Sequence, residues 1–141
     1  MTRIRQLHER LQSADGLAVV LDAAHDAFEG ILLIIRAHED PADGLFISLV
    51  MAAASAAEGR NAIIFAPSLP PGPLHPAVRT EDPGDTDATA VAVELAALSE
   101  LLATRLTEAA LSARENADQT ACCDAARSAR DICALLTGSR P

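Results

Sequence analysis

Four titratable side chains lie one helical turn apart near the start of the chain, at Asp22, His25, Asp26 and Glu29. Intervals of three and four residues would place all four on the same surface of a helix. Carboxylate and imidazole groups gathered in this way can bind a divalent metal ion or move protons. Asp22, His25 and Glu29 are therefore the candidate metal ligands of this sequence.

Two plainer interpretations compete with a metal site. In the one we favour, the carboxylates are the solvated stripe of an amphipathic helix and His25 pairs with Glu29. In the other, these residues form a polar contact between helices or subunits, with His25 partly buried and its charge sensitive to pH. A di-iron centre in a helical bundle would need two Glu-x-x-His pairs and two further carboxylates, and the chain has half of one pair. No cofactor is predicted.

A second group of residues could line an apolar ligand pocket. Ser48 and Ser55 lie seven residues apart on one face of an otherwise apolar segment. A buried serine usually bonds back to its own helix, but if this face lined a cavity, both hydroxyls could anchor a mostly apolar ligand. The candidate pocket residues are Phe28, Phe46, Ser48, Met51, Ser55 and Phe65.

The remaining nucleophiles and bases have no partner at a catalytic spacing. Cys122, Cys123 and Cys133 lack the CxxC spacing and a nearby histidine, so we expect three free thiols. His38 is expected to cap the end of a helix, and His75 to lie in an exposed loop. The sequence has no phosphate-binding glycine loop and no hydrolase or kinase motif. An enzymatic function is therefore uncertain and disfavoured.

The composition favours a helical protein that binds neither nucleic acid nor membrane. Of the 141 residues, 50% are hydrophobic, chiefly Ala, Leu, Val and Ile, which suits closely packed helices. A net charge of −9 argues against nucleic-acid binding. The longest apolar segment runs only about 14 residues, short of the roughly 20 that cross a membrane. We expect a cytoplasmic protein, bacterial by its exclusive use of Arg over Lys, that binds neither nucleic acid nor membrane.

Hydrophobic periodicity predicts three helices in the first half of the chain. We expect a short helix capped by Thr2, a long amphipathic helix over 16–38, and a third helix over 41–58 closed by Gly59. The third is apolar on all sides, so it should be central in the monomer or pinned against a second subunit. The segment 62–65 is predicted to be extended.

A proline-rich connector and a helical hairpin are predicted for the second half. The connector over 67–87 holds most of the prolines, and neither a helix nor a sheet tolerates that density. A fourth helix from Thr86 or Asp87 to about 115 and a fifth over 119–137 should pack antiparallel. The predicted fold is an all-α antiparallel bundle of four main helices plus a short N-terminal helix, in one domain over 1–141.

Three functions from different classes remain open. The first, which we favour, is a non-enzymatic bundle that self-associates as a homodimer and binds another protein. Its support is the apolar third helix and the greater length of the fourth helix than of the fifth. The second is a small-molecule-binding bundle, with an apolar pocket between the second, third and fourth helices. The third is a metal-carboxylate enzyme that uses the candidate ligands of the second helix.

Overall fold

The computed structural model describes residues 2–71 and 87–138, and within these ranges the chain is helical with no strand. The helices are α1 (Arg3–Ser13), α2 (Leu17–Ala37), α3 (Phe46–Ile64), α4 (Ala88–Ser112) and α5 (Asn116–Thr137). The all-α prediction is therefore confirmed. Most of the predicted connector, including His75, lies outside the described residues.

Side-chain caps and left-handed glycines set the helix ends that the sequence indicated. Thr2 accepts a hydrogen bond from the backbone N–H of Arg5 at 3.2 Å, and Asp87 caps α4 in the same way at 3.3 Å. Gly16 before α2 and Gly138 after α5 have φ of 89° and 71°, a region that side-chain-bearing residues rarely adopt. Both glycines therefore end or begin a helix as predicted.

The third helix begins later than the sequence indicated. Pro41 was the expected first residue, but α3 starts at Phe46. The carboxylates of Asp40 and Asp43 each accept the backbone N–H two residues further on, at 3.0 and 2.9 Å. Such side-chain turns compete with helical hydrogen bonds, so the segment 40–45 forms successive turns instead.

The same helix also ends later, at Ile64, because Gly59 does not terminate it. The predicted end at residue 58 and the predicted extended segment over 62–65 are both wrong. A Cβ on Gly59 would lie 2.5 Å from the ring of Phe28 on α2, which is fully buried. The glycine is needed for close packing of α2 on α3, a long-range requirement that local sequence does not reveal.

Helices α2 to α5 form a ring in the order α2, α3, α5, α4, and each helix packs on its two neighbours. Just after α3, Ser68 donates its backbone N–H and its hydroxyl to the buried carboxylate of Asp118, at 3.0 and 2.6 Å. Asp118 lies in the first turn of α5, so α3 ends where α5 begins and the two are antiparallel. Neighbouring helices are antiparallel all round the ring, as predicted.

α1 lies across α2 and α4, and Arg105 of α4 holds its C-terminal end. The Arg105 guanidinium donates to the backbone carbonyls of Leu11, at 3.2 Å, and of Ala14. The last carbonyls of a helix have no partner inside the helix, so this arginine supplies one. The Leu11 side chain is fully buried, which makes α1 part of the common core.

The core is built from the faces that the hydrophobic periodicity indicated. On α4 every residue of the predicted inner face is buried: Val91, Leu95, Leu98, Leu102, Leu106 and Ala109. Both α3 and α5 bury several alanines, whose small side chains allow helices to approach closely: Ala52 and Ala56 on α3, and Ala121, Ala125, Ala126 and Ala129 on α5.

The difference in length between α4 and α5 is smaller than the sequence indicated. α4 has 25 residues and α5 has 22. At 1.5 Å per residue the difference is only about 5 Å. The reason is that α4 ends at Ser112 and α5 starts at Asn116, each three residues earlier than expected. The overhang of α4 therefore no longer supports a dimer.

Gly59→Ala should destabilise the bundle, because its methyl group would overlap the rigid ring of Phe28. We expect the free energy of unfolding to fall by about 1–3 kcal/mol, measured by urea denaturation with far-UV circular dichroism. Gly44→Ala is the matched control, since a Cβ there meets no atom within 4 Å. Equal stability of the two variants would contradict the packing role of Gly59.

Candidate functional site

Two of the α2 carboxylates are ion-pair partners of α1. The guanidinium of Arg10 bonds to both Asp22 and Asp26, which lie one turn apart. The three side chains are between 14 and 28% exposed. A partly desolvated guanidinium shared by two carboxylates is a stronger link than an exposed surface pair. This contact therefore helps to fix α1 on α2.

The other two candidates on α2 also have partners in the protein. Glu29 lies 3.3 Å from the guanidinium of Arg60 on α3, and not beside His25 as we expected. Nδ1 of His25 is instead 3.9 Å from the carboxylate of Asp26. Within 2–71 and 87–138, no three His, Cys, Asp or Glu residues are arranged to hold a metal ion. The α2 carboxylates link α1, α2 and α3.

The candidate pocket residues occupy contrasting environments. Phe28 is fully buried in the core between α2 and α3. The others lie on α3 or directly after it: Phe46, Ser48 and Ser55 are half-buried, Met51 is 51% exposed and Phe65 is 79% exposed. The structure thus separates Phe28, which faces the core, from Met51 and Phe65, which face solvent.

The outward face of α3 carries a continuous apolar surface, which we call the α3 patch and define as Ile47, Val50, Met51 and Ala54. The first three are 65, 40 and 51% exposed, and Ala54 is also exposed. Their spacing places them side by side on one helical face. On α2 and α4, the exposed large apolar residues, such as Val93, are far apart along the helix. The patch is therefore the one apolar cluster of this kind that we find in the described residues.

α3 packs mainly on α2 and α5, its two neighbours in the ring, and its outward face is exposed. Its buried face is a narrow stripe, consisting of Leu49, Ala52, Ala56, Gly59 and Ile63. The sequence left open whether this apolar helix is central in the monomer or covered by a second subunit. The structure excludes the central position.

Two surface grooves flank α5. The larger, about 650 Å³, lies between α4 and α5, and the smaller, about 340 Å³, lies between α3 and α5. In the larger groove, the hydroxyls of Thr104, Thr107 and Thr137 donate to backbone carbonyls of their own helices at 2.7 to 3.1 Å. Each of these hydroxyls therefore donates its hydrogen within its own helix and has none left to donate to a ligand.

The three cysteines are free thiols, as predicted, in three different environments. Burial, and then the nearby Asp118 carboxylate, raises the pKa of Cys122 to about 11. Burial, and then Glu100, also raises the pKa of Cys133. Both thiols stay protonated at neutral pH and are poor nucleophiles and poor metal ligands. Cys123 is exposed.

His38 has the capping position that the sequence indicated. It follows the last residue of α2, and its Nδ1 donates to the carbonyl of Ile34 at 2.9 Å. The other ring nitrogen, Nε2, is buried and has no hydrogen-bond partner among the described residues. The imidazole therefore caps the C-terminal end of α2.

No known protein family, curated protein or solved structure matches this chain. Across the described residues, none of the helices combines the length and apolar character that a membrane span requires.

The three thiols should react at different rates with a reagent such as DTNB. Cys123 should react first, and Cys122 only after unfolding, because its thiolate is disfavoured by burial. Single-cysteine variants would assign each rate by absorbance. Rapid labelling of Cys122 in the folded protein would contradict its burial.

The raised pKa of Cys122 also predicts how stability depends on pH. The folded protein keeps this proton up to about pH 11, whereas the unfolded thiol loses it near 9.0. Unfolding therefore releases a proton in this range, and the contribution of Cys122 to stability should fall as pH rises from 9 to 11. Urea titrations of the wild type and of Cys122→Ala would show this as a steeper loss in the wild type.

Proposed function

We propose that this chain is a non-enzymatic protein-interaction module that self-associates as a two-fold homodimer through the α3 patch. The observation that carries the proposal is the exposure of Ile47, Val50 and Met51 on one helical face. Clustered apolar side chains on the surface of a small protein commonly mark an interface. A second copy of the chain, with the identical patch, supplies a complementary apolar surface.

The geometry of the patch suits an isologous contact between two α3 helices. Its residues recur at intervals of three and four, the spacing by which paired helices interdigitate. Ala54 within the patch is small, so a facing helix can approach closely at that point. In a two-fold dimer each copy contributes the same residues, and one helix therefore provides both sides of the contact.

The groups that could support catalysis have structural partners, which favours an interaction role over an enzymatic one. The acids of α2 pair with arginines of α1 and α3, and Cys122 and Cys133 remain protonated at neutral pH. We place the dimer in the cytoplasm, where reduced cysteines are the rule. Its further partner is proposed to be another protein, because the acidic net charge of −9 disfavours nucleic acid.

Met51→Glu should dissociate the dimer, because it buries an unpaired charge at the centre of the contact. We expect the dissociation constant to rise at least about 30-fold, the effect of losing an interfacial residue worth roughly 2 kcal/mol. Sedimentation equilibrium over a wide concentration range gives the constant.

Val93→Glu is the matched control for this experiment. Val93 is 66% exposed on α4 and away from the α3 patch, so the variant adds the same charge to a comparably exposed apolar site. It should leave the dimer intact. A wild-type protein that stays monomeric, or equal dissociation of both variants, would overturn the proposal.

A further inference from the structure

Met51 is the member of the α3 patch whose side chain contains a reactive atom. Ile47, Val50 and Ala54 present saturated hydrocarbon, which peroxides leave unchanged, whereas Met51 carries a thioether sulfur. In the single chain Met51 is 51% exposed, so a molecule as small as hydrogen peroxide can reach its side chain. The response of the α3 patch to an oxidant therefore depends on this residue.

Methionine is rare in this sequence. The chain has two, at positions 1 and 51, and its core is filled mainly with Ala, Leu, Ile and Val. A leucine at position 51 would present an apolar side chain of similar volume. A methionine at the centre of the α3 patch thus adds a property, oxidation of its sulfur, that an apolar contact does not itself require.

Two of the three cysteines compete poorly for the same oxidant. Oxidation of a cysteine follows its thiolate character and its exposure. Burial raises the pKa of both Cys122 and Cys133, so their thiols stay protonated at neutral pH. Cys123 is exposed, but it belongs to α5 and not to the α3 patch. Oxidation of the patch itself is therefore oxidation of Met51.

The oxidised side chain fits an apolar contact badly. One oxygen atom passes from hydrogen peroxide to the Met51 sulfur: the O–O bond breaks, an S=O bond forms, the sulfur loses two electrons and water leaves. The product, a sulfoxide, is polar and accepts hydrogen bonds. The side chains of Ile47, Val50 and Ala54 have no hydrogen-bond donor to offer it. Burial of the new oxygen against a second, identical patch therefore costs free energy.

We propose that Met51 is an oxidation switch for the homodimer: a peroxide converts it to the sulfoxide in the free chain, and the oxidised chain self-associates poorly. This inference rests on the dimer proposed above. Because the dimer covers the α3 patch, it shields Met51, and oxidation proceeds through the dissociated chain. Association and oxidation thus oppose each other. Methionine sulfoxide reductases, with a thiol as reductant, restore the thioether.

Peroxide treatment of the wild-type protein tests the switch. After treatment, peptide mass spectrometry confirms the added oxygen on Met51, and sedimentation equilibrium gives the dissociation constant. We expect this constant to rise at least about tenfold, and to return after incubation with the two epimer-specific methionine sulfoxide reductases. Unchanged affinity of the Met51 sulfoxide form, or a loss that the reductases do not reverse, would overturn the switch and leave the dimer standing.

The rate of oxidation gives a second measurement. The rate at which Met51 gains oxygen should be several-fold lower at protein concentrations well above the dissociation constant than well below it, because only the free chain reacts. Equal rates at the two concentrations would contradict the shielding. A wild-type protein that is monomeric before treatment would refute the proposed dimer, and the switch with it.

Met51→Leu/Val93→Met is the matched control, because it moves the methionine from the α3 patch to α4. Val93 is 66% exposed, so the introduced methionine is accessible to peroxide. Each protein is compared with its own untreated sample. The dissociation constant of the variant should not respond to peroxide, although mass spectrometry shows the introduced methionine oxidised. An equal response in the variant and the wild type would assign the effect to another residue, such as Cys123, and refute the switch.

Discussion

The close approach of α2 and α3 at Gly59 is the contact on which the rest of the arrangement depends. The Phe28 ring fills the space that a side chain at 59 would occupy, with a virtual Cβ only 2.5 Å away. This contact fixes the hairpin of α2 and α3 and keeps α3 helical through the glycine to Ile64. Because α3 then meets α5 through alanines as well, its buried face stays narrow, and the apolar side chains around it remain at the surface. The α3 patch is thus a consequence of small-residue packing.

Residue spacing and capping side chains were sufficient to predict the buried face of α4 and the starts of α1 and α4. The inner face of α4 follows from leucines at three- and four-residue intervals, and the caps at Thr2 and Asp87 from their own side chains. Gly59 was misread as a helix terminator because its role depends on Phe28, thirty-one residues earlier. The Ser68–Asp118 contact joins residues fifty positions apart, and no local signal marks either one. Exposure of α3 was likewise unpredictable, since an all-apolar helix indicates burial without saying which molecule provides it.

For the candidate functional residues too, the sequence predicted what depends on neighbouring residues and missed what depends on distant ones. The spacing of Asp22, His25 and Glu29 correctly indicated a shared helical face, but not that arginines from α1 and α3 neutralise its carboxylates. The candidate pocket residues were chosen by residue type, and the structure distributes them between the core and the surface.

The two groups of acids show how partners, rather than residue types, determine what a surface can do. On α2 the carboxylates lie beneath helices that supply Arg10 and Arg60, so their charge is used to hold the bundle together. On α5, Asp124, Asp131 and Arg127 are exposed, and in the described part of the chain neither acid forms an ion pair with this arginine within 4 Å. Exposed charges of this kind are screened by water and salt and contribute little to stability. The same residue type therefore stabilises the fold on α2, where arginines of α1 and α3 reach it, and remains an exposed surface charge on α5.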